Sequence, residues 1–476
     1  MSDSHTEGLD RVAEIEARSA AFRRELGLAT LALTQIMYVV GSGWVGTAAK
    51  LGPSHVVFWS AAILLYYLPQ AAVVIYLNRL MPLEGGLYQW ATMGLGRFLG
   101  FLTAWNLWAY SIAVMAVFGV VIATNLAYLI TPMGATFTTA AWYTPIVSST
   151  AVVLLSFVSL FGLRVGKWLQ DIGGLSQILM FSALIVVPYI AISRGTTHAY
   201  HPLTWALPSF TLLSVNIFGK MALGALSGFE YVAILAGECR APARTIGQSV
   251  MIATPVIAVM FIFGTSSVLA LVPQSQIDLV SPIPQALQIG FRGLGVARFI
   301  VPVLIVMLLA RQIGNVTLIF AGNTRLPMVA GWDRLVPAWF TRLHPRFRTP
   351  QNSILFVGAL TLLLTLVGQV GVGLQEAFQL LENAAGIFYA FTYLALFAIP
   401  LFGAKRLGIA PPLWLRMMSA SGFAVSLLYS VLSVFPIIDV ASWQSFAVKI
   451  ITVLVIANLV GVGIYFTGRR REAPSA

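Results

Sequence analysis

Long apolar runs alternate with short polar connections from residue 27 to residue 467. A helix needs about 20 predominantly apolar residues to cross a bilayer. Twelve runs qualify: 27–50, 55–77, 98–130, 142–162, 171–193, 210–237, 249–272, 298–323, 352–371, 377–402, 413–436 and 442–467. None has the period-two alternation of a membrane barrel strand. The pattern therefore predicts an all-α integral membrane protein with twelve transmembrane helices. Span 3 exceeds the bilayer requirement, so it tilts or extends beyond the membrane.

Two spans are interrupted by glycine. Span 1 contains Val39-Val40-Gly41-Ser42-Gly43-Trp44, and span 6 contains Gly224-Ala225-Leu226-Ser227-Gly228. Unpaired backbone groups cannot face lipid, so such breaks persist only where they line a cavity or are buried in protein. Close helix packing through small residues is the competing explanation for either cluster alone.

The basic residues orient the spans. With the N-terminus inside, 21 of the 28 lysines and arginines fall on the inner face and five on the outer. Lys220 and Arg311 lie within spans. This bias predicts that both termini are cytoplasmic in a multi-pass protein of the cell membrane. Spans 1 and 6 then run in opposite directions, as in two inverted five-span repeats, 27–193 and 210–402. These form a core, 27–402, followed by spans 11 and 12 over 413–467. Residues 1–26 and 468–476 are cytoplasmic tails; the first reads equally as a short interfacial helix or as disordered. No cleavable signal sequence is apparent, because the first apolar run is far longer than a signal core.

Composition narrows the chemistry. The chain is 58% hydrophobic and 9% charged, against about 25% charged in soluble domains. Its net charge of +12 belongs to the topology of the loops and does not indicate nucleic acid. The single cysteine, Cys239, excludes an internal disulfide and a thiolate metal site. His198 and His201 are the only close histidines, and they lie in a polar loop. No metal or other cofactor is expected, and no nucleophile–base pair at helical spacing suggests an enzyme.

Several motifs in order carry a family resemblance. They are Gly41-Ser42-Gly43 in span 1, Glu84-Gly85-Gly86-Leu87-Tyr88-Gln89-Trp90 after span 2, and Gly228-Phe229-Glu230 in span 6. Glu238-Cys239-Arg240-Ala241-Pro242 and Arg325 with Trp332-Asp333-Arg334-Leu335-Val336-Pro337 follow. The chain resembles the amino acid–polyamine–organocation (APC) superfamily of permeases through spans 1 to 10. The resemblance implies an inverted-repeat fold with broken helices 1 and 6 and transport by alternating access. It implies a secondary active transporter of amino acids or closely related amines, driven by proton symport or substrate exchange. A polyamine or organic-anion carrier is the alternative within transport, and a membrane nutrient sensor the alternative outside it. The expected partners are an amino acid or amine substrate, protons and membrane lipids, the last contacted by the basic loop from Arg325 to Pro350. Oligomeric state is left open.

The breaks suggest how a zwitterion could be held. Ser42, Gly43 and Trp44 open a new half-helix, whose N–H groups suit a carboxylate. The carbonyls of Val39 and Val40 suit an ammonium group. Gly41, Gly224, Ala225, Leu226, Ser227 and Gly228 complete the expected site. In the resembling family the span 6 break often carries an aromatic gate. Here Gly224 stands at that position, which predicts a roomier pocket or a gate supplied by Trp44 or Phe229. A charge within the bilayer usually faces a protein interior or a wet cavity. Arg311 and Asn315, one turn apart in span 8, are therefore candidate site residues, with an ion pair from Arg311 to Glu382 or Glu230 as the competing reading. Lys220, Glu230, Glu382 and Glu84 are candidates for coupling or gating. Gln177 stands where some family members have a lysine, so a lysine-based mechanism does not transfer. Thr317 gives thin support for a sodium site.

Overall fold

The structure is a computed structural model. It describes residues 27–81, 86–130, 142–160, 166–195, 200–229, 242–329 and 335–472, apart from 346 and 348, together with 137 and 140. Residues 1–26, Glu84, Glu230 and Cys239 lie outside the described residues.

The described chain forms helices. They are α1 (Leu28–Val39), α2 (Ser42–Ala49), α3 (Gly52–Leu80), α4 (Gly86–Leu95), α5 (Arg97–Ile130), α6 (Tyr143–Leu160), α7 (Gly166–Ser193) and α8 (Leu212–Ala225). There follow α9 (Pro242–Leu271), α10 (Pro282–Gly290), α11 (Ala297–Val329), α12 (Ala338–Thr341), α13 (Gln351–Val367), α14 (Leu374–Leu407), α15 (Leu413–Leu432) and α16 (Trp443–Glu472). Among the described residues nine helices are long and apolar enough to cross a membrane, ten when α1 and α2 count as one bent span. The apolar helices α8 and α13 are shorter. They lie at expected spans 6 and 9.

Burial sorts the helices into centre and rim. The most apolar stretch of α5 is 72% buried, and those of α11 and α14 are 65% and 61%. Those of α6 and α16 are only 22% buried. They present Leu154, Phe157, Val158, Val455 and Leu459 outward, as lipid-facing surfaces do. At about 1.5 Å per residue, the 34 residues of α5 extend some 50 Å. That is well beyond a hydrocarbon core of about 30 Å. The length follows from its position, since α5 packs along α14, α11, α6 and α4.

Both expected interruptions occur, with different geometry. In span 1 the helix stops at Val39, turns tightly at Val40, passes through extended backbone at Gly41, and resumes at Ser42, bent by 46°. In span 6 the break occupies only the later part of the expected stretch 224–228. Gly224 and Ala225 remain inside a π-wound turn, Lys220–Ala225, and the helix is lost only after Leu226. Gly228 adopts φ +133°, a conformation that L side chains rarely enter. A Cβ there would also sit 2.9 Å from Tyr38 Cε1.

Candidate functional site

The two breaks face one cavity of about 120 Å³. From span 1 it is lined by Tyr38, Val39, Gly41, Ser42, Gly43 and Trp44, and from α8 and its break by Gly224 and Ser227. α5 contributes Tyr110, Val114, Val117, Phe118 and Val121; α11 contributes Arg311, Gln312, Asn315 and Ile319. α14 adds Phe378, Glu382, Ala385, Gly386 and Tyr389, and α15 adds Tyr429. Of the residues expected from sequence, Val40, Ala225, Leu226, Gly228 and Lys220 are buried without lining it.

Trp44 changes the character of the pocket. A Cβ on Gly224 would lie 2.8 Å from the indole Cζ3 of Trp44. The absent side chain at Gly224 is thus filled by a ring from the other broken span, and the pocket is not roomier there. Phe229 packs against Tyr67 at 4.6 Å between ring centres, away from the cavity lining.

The backbone freed by the breaks is largely paired within the protein. Gln177 Nε2 donates to the Val40 carbonyl at 2.7 Å, and Arg311 Nη2 donates to the Met37 carbonyl at 2.9 Å. The Gly41 N–H donates to the Val39 carbonyl. At the second break one side chain of α3 serves several groups. With its amide nitrogen turned to the Leu226 carbonyl (3.0 Å), Gln70 accepts from the N–H groups of Phe229 (3.2 Å) and Gly228 (3.3 Å). The Gly228 N–H also meets the Tyr393 hydroxyl at 2.9 Å. A buried unpaired backbone group costs about as much as a lost hydrogen bond, and these contacts remove that cost.

The N-terminus of α2 is different. No side chain caps it, so its first N–H groups have neither an intrahelical nor a capping partner. Lining the same cavity, three α11 residues hold polar atoms without a partner among the described residues: Arg311 Nε, Gln312 Nε2 and Asn315 Oδ1. All three residues are at most 3% exposed and line the cavity. No carboxylate pairs with Arg311 among the described residues; it braces a carbonyl of the first half-helix instead.

The segment between α9 and α10 packs over one side of the cavity. The Leu279 carbonyl lies 3.4 Å from a Cβ built on Gly43, and Phe378 Cζ lies 3.7 Å from it. Val280, Phe378 and Leu381 pack with Val117 and Val121 into an apolar plug. Asp278 organises this segment. Its carboxylate accepts from Tyr128 (2.9 Å) and from the N–H groups of Val280 (2.9 Å) and Ser281 (3.2 Å). Burial raises the Asp278 pKa, against the opposing pull of these hydrogen bonds. Ser281 then donates to Asn125, which donates to Gln312. A polar chain therefore runs from the α9–α10 segment to the cavity wall.

Sequence reading passed over Gln312, the aromatic walls Tyr38, Tyr110, Tyr389 and Phe378, and Tyr429. Gln312 carried a usable signal as a second polar residue beside Arg311 in mid-span. The aromatics did not, being indistinguishable from other membrane aromatics. Among the described residues no His, Cys, Asp and Glu group could hold a metal.

Comparison with known proteins yields three kinds of likeness. A family model described as amino acid permease matches residues 26–456. An uncharacterised transporter of Legionella pneumophila is 25% identical over 380 residues, covering 79% of this chain and 80% of that protein. The branched-chain amino acid permease BcaP of Bacillus subtilis is 23% identical over 398 residues, covering 76% and 80%. The crystal structure of MhsT in complex with L-phenylalanine superposes with a TM-score of 0.62 at 14% identity. It covers 86% of this chain and 98% of that one, and carries the LeuT fold.

Proposed function

This chain belongs to the amino acid permease family, and we propose that its cavity carries a small amino acid or closely related amine by alternating access. The observation that carries this reading is the meeting of both broken helices at one cavity. The uncapped N-terminus of α2 holds the substrate carboxylate, where oriented N–H groups and the helix dipole favour an anion. Arg311, Gln312 and Asn315 supply further polar partners along the same wall. The volume favours a small side chain: an engineered apolar cavity of about 150 Å³ just holds benzene.

Transport is driven by a proton gradient or by exchange rather than by sodium. A sodium ion near the first break would need carbonyls that Arg311 and Gln177 already engage. The core is 27–402, built from the repeats 27–193 and 210–402, with 413–467 appended. The protein resides in the cell membrane with both termini in the cytoplasm.

Uptake by purified protein in liposomes tests the proposal. The panel comprises amino acids, polyamines and carboxylates, with proton and sodium gradients imposed separately. Uptake or exchange of at least one amino acid or amine, unchanged when choline replaces sodium, is expected. Absence of all such transport overturns the reading.

A further inference from the structure

The carbonyls at the breaks are the obvious acceptors for a substrate ammonium group, but four of them already accept a hydrogen bond. Those of Met37, Val39 and Val40 receive Arg311, Gly41 and Gln177, and that of Leu226 receives Gln70. A different acceptor faces the cavity from α14. Glu382 lines it and is half-buried, and among the described residues its carboxylate receives no hydrogen bond and joins no ion pair.

The groups around Glu382 leave that position open. Lys220 of α8 is close enough for the two charges to interact. Its ammonium is instead hydrogen-bonded to Asn383 Oδ1 and lies 5.9 Å from the Tyr429 ring centre. Lys220 does not line the cavity. Arg311 lines it from α11, held at the Met37 carbonyl. Tyr110 and Tyr389 stack at 4.0 Å between ring centres and form the adjoining wall with Tyr429. Aromatic faces beside a carboxylate favour a cation.

We propose that Glu382 receives the substrate's ammonium group, so that the zwitterion is held between the N-terminus of α2 and the α14 carboxylate. Lys220 balances Glu382 electrostatically from behind while the site is empty. This assignment rests on the reading of the cavity as an amino acid site and names the residue that makes an amine obligatory. A 2-hydroxy acid of the same shape offers the carboxylate one neutral O–H donor in place of a charged ammonium, so it loses the charge-assisted hydrogen bond and leaves the Glu382 charge uncompensated, and it is disfavoured.

The test compares binding of three pairs, followed by ligand-induced fluorescence and thermal stabilisation of the purified protein. The pairs are L-alanine with L-lactate, L-leucine with L-2-hydroxyisocaproate, and L-phenylalanine with L-phenyllactate. The unmodified protein is expected to prefer the amino member by at least about 100-fold. Glu382→Gln should weaken the amino acid at least about ten-fold and leave the hydroxy acid unchanged or tighter. Since Glu382→Gln strands Lys220 as an uncompensated charge, the double variant Lys220→Met with Glu382→Gln provides the same readout in a better balanced protein. An unchanged amino-to-hydroxy preference in either folded variant overturns the assignment and returns the ammonium to the backbone. Failure of all six compounds to bind the unmodified protein overturns the amino acid reading itself.

Discussion

Two buried glutamines should respond to the same substitution with opposite signs. Gln70 is fully buried and bridges the span 6 break through Leu226, Gly228 and Phe229. In Gln70→Leu the Gly228 N–H keeps Tyr393, but the Leu226 carbonyl and the Phe229 N–H lose the partner that Gln70 gave them. Each such buried group costs about 1–3 kcal/mol, for a sum of about 2–6 kcal/mol. Total stabilities are about 5–15 kcal/mol, so the loss is a large share. Gln35 is equally buried, but among the described residues neither its amide nitrogen nor its oxygen has a partner. Gln35→Leu removes a group whose burial is uncompensated and should be neutral or stabilising by up to about 2 kcal/mol. Thermal unfolding of the two variants in the same detergent measures the contrast. Gln70→Leu should melt several degrees lower and Gln35→Leu at or above the parent. Equal Tm values for the pair would refute the claim that α3 holds the broken helix together.

Three further outcomes follow from the same geometry. Gly224→Ala should lower substrate affinity by driving the Trp44 ring into the cavity, and Trp44→Leu in the same chain should restore part of it. Independent, additive effects in a double-mutant cycle would show that the two positions do not meet. Arg311→Ala removes the donor to Met37 and a cavity wall, so apparent affinity should fall about ten-fold or more; a transport-competent variant with unchanged affinity and substrate ranking would reduce Arg311 to a brace. Asp278 has a raised pKa in the folded protein, so the folded state binds its proton more tightly than the unfolded chain. Its contribution therefore favours folding at low pH and is lost as pH rises above the ordinary carboxylate value of 3.8 through the folded one. Asp278→Asn should gain stability relative to the parent as pH rises across that window, and a pH-independent difference between the two melting curves would contradict it.

Much of the architecture was legible because hydropathy is local. A run of some 20 apolar residues declares a span without reference to any partner, and Gly41 and Gly43 mark the first break to within two residues. The second break occupies only Leu226–Gly228 of the expected stretch 224–228. The glycine cluster records two separate demands there: room for Trp44 at Gly224, and positive φ at Gly228. Sequence cannot separate them, since both are written as glycine. α8 fell short of full span length for a related reason. A hydropathy run continues through a break, whereas a helix does not.

The sequence by itself determined the class of molecule, the two interrupted helices and the intramembrane charges Arg311, Lys220 and Glu382. These follow from the cost of placing polar groups in hydrocarbon, which each segment meets alone. The tertiary structure decided which polar groups satisfy one another. Gln177 reaches Val40 and Arg311 reaches Met37 across 137 and 274 positions of chain, while Glu382 is left open to the cavity. A hydrogen bond depends on distances of about 3 Å and on direction. The sequence of a buried glutamine, partnered like Gln70 or solitary like Gln35, therefore carries no mark of its role until the helices are packed.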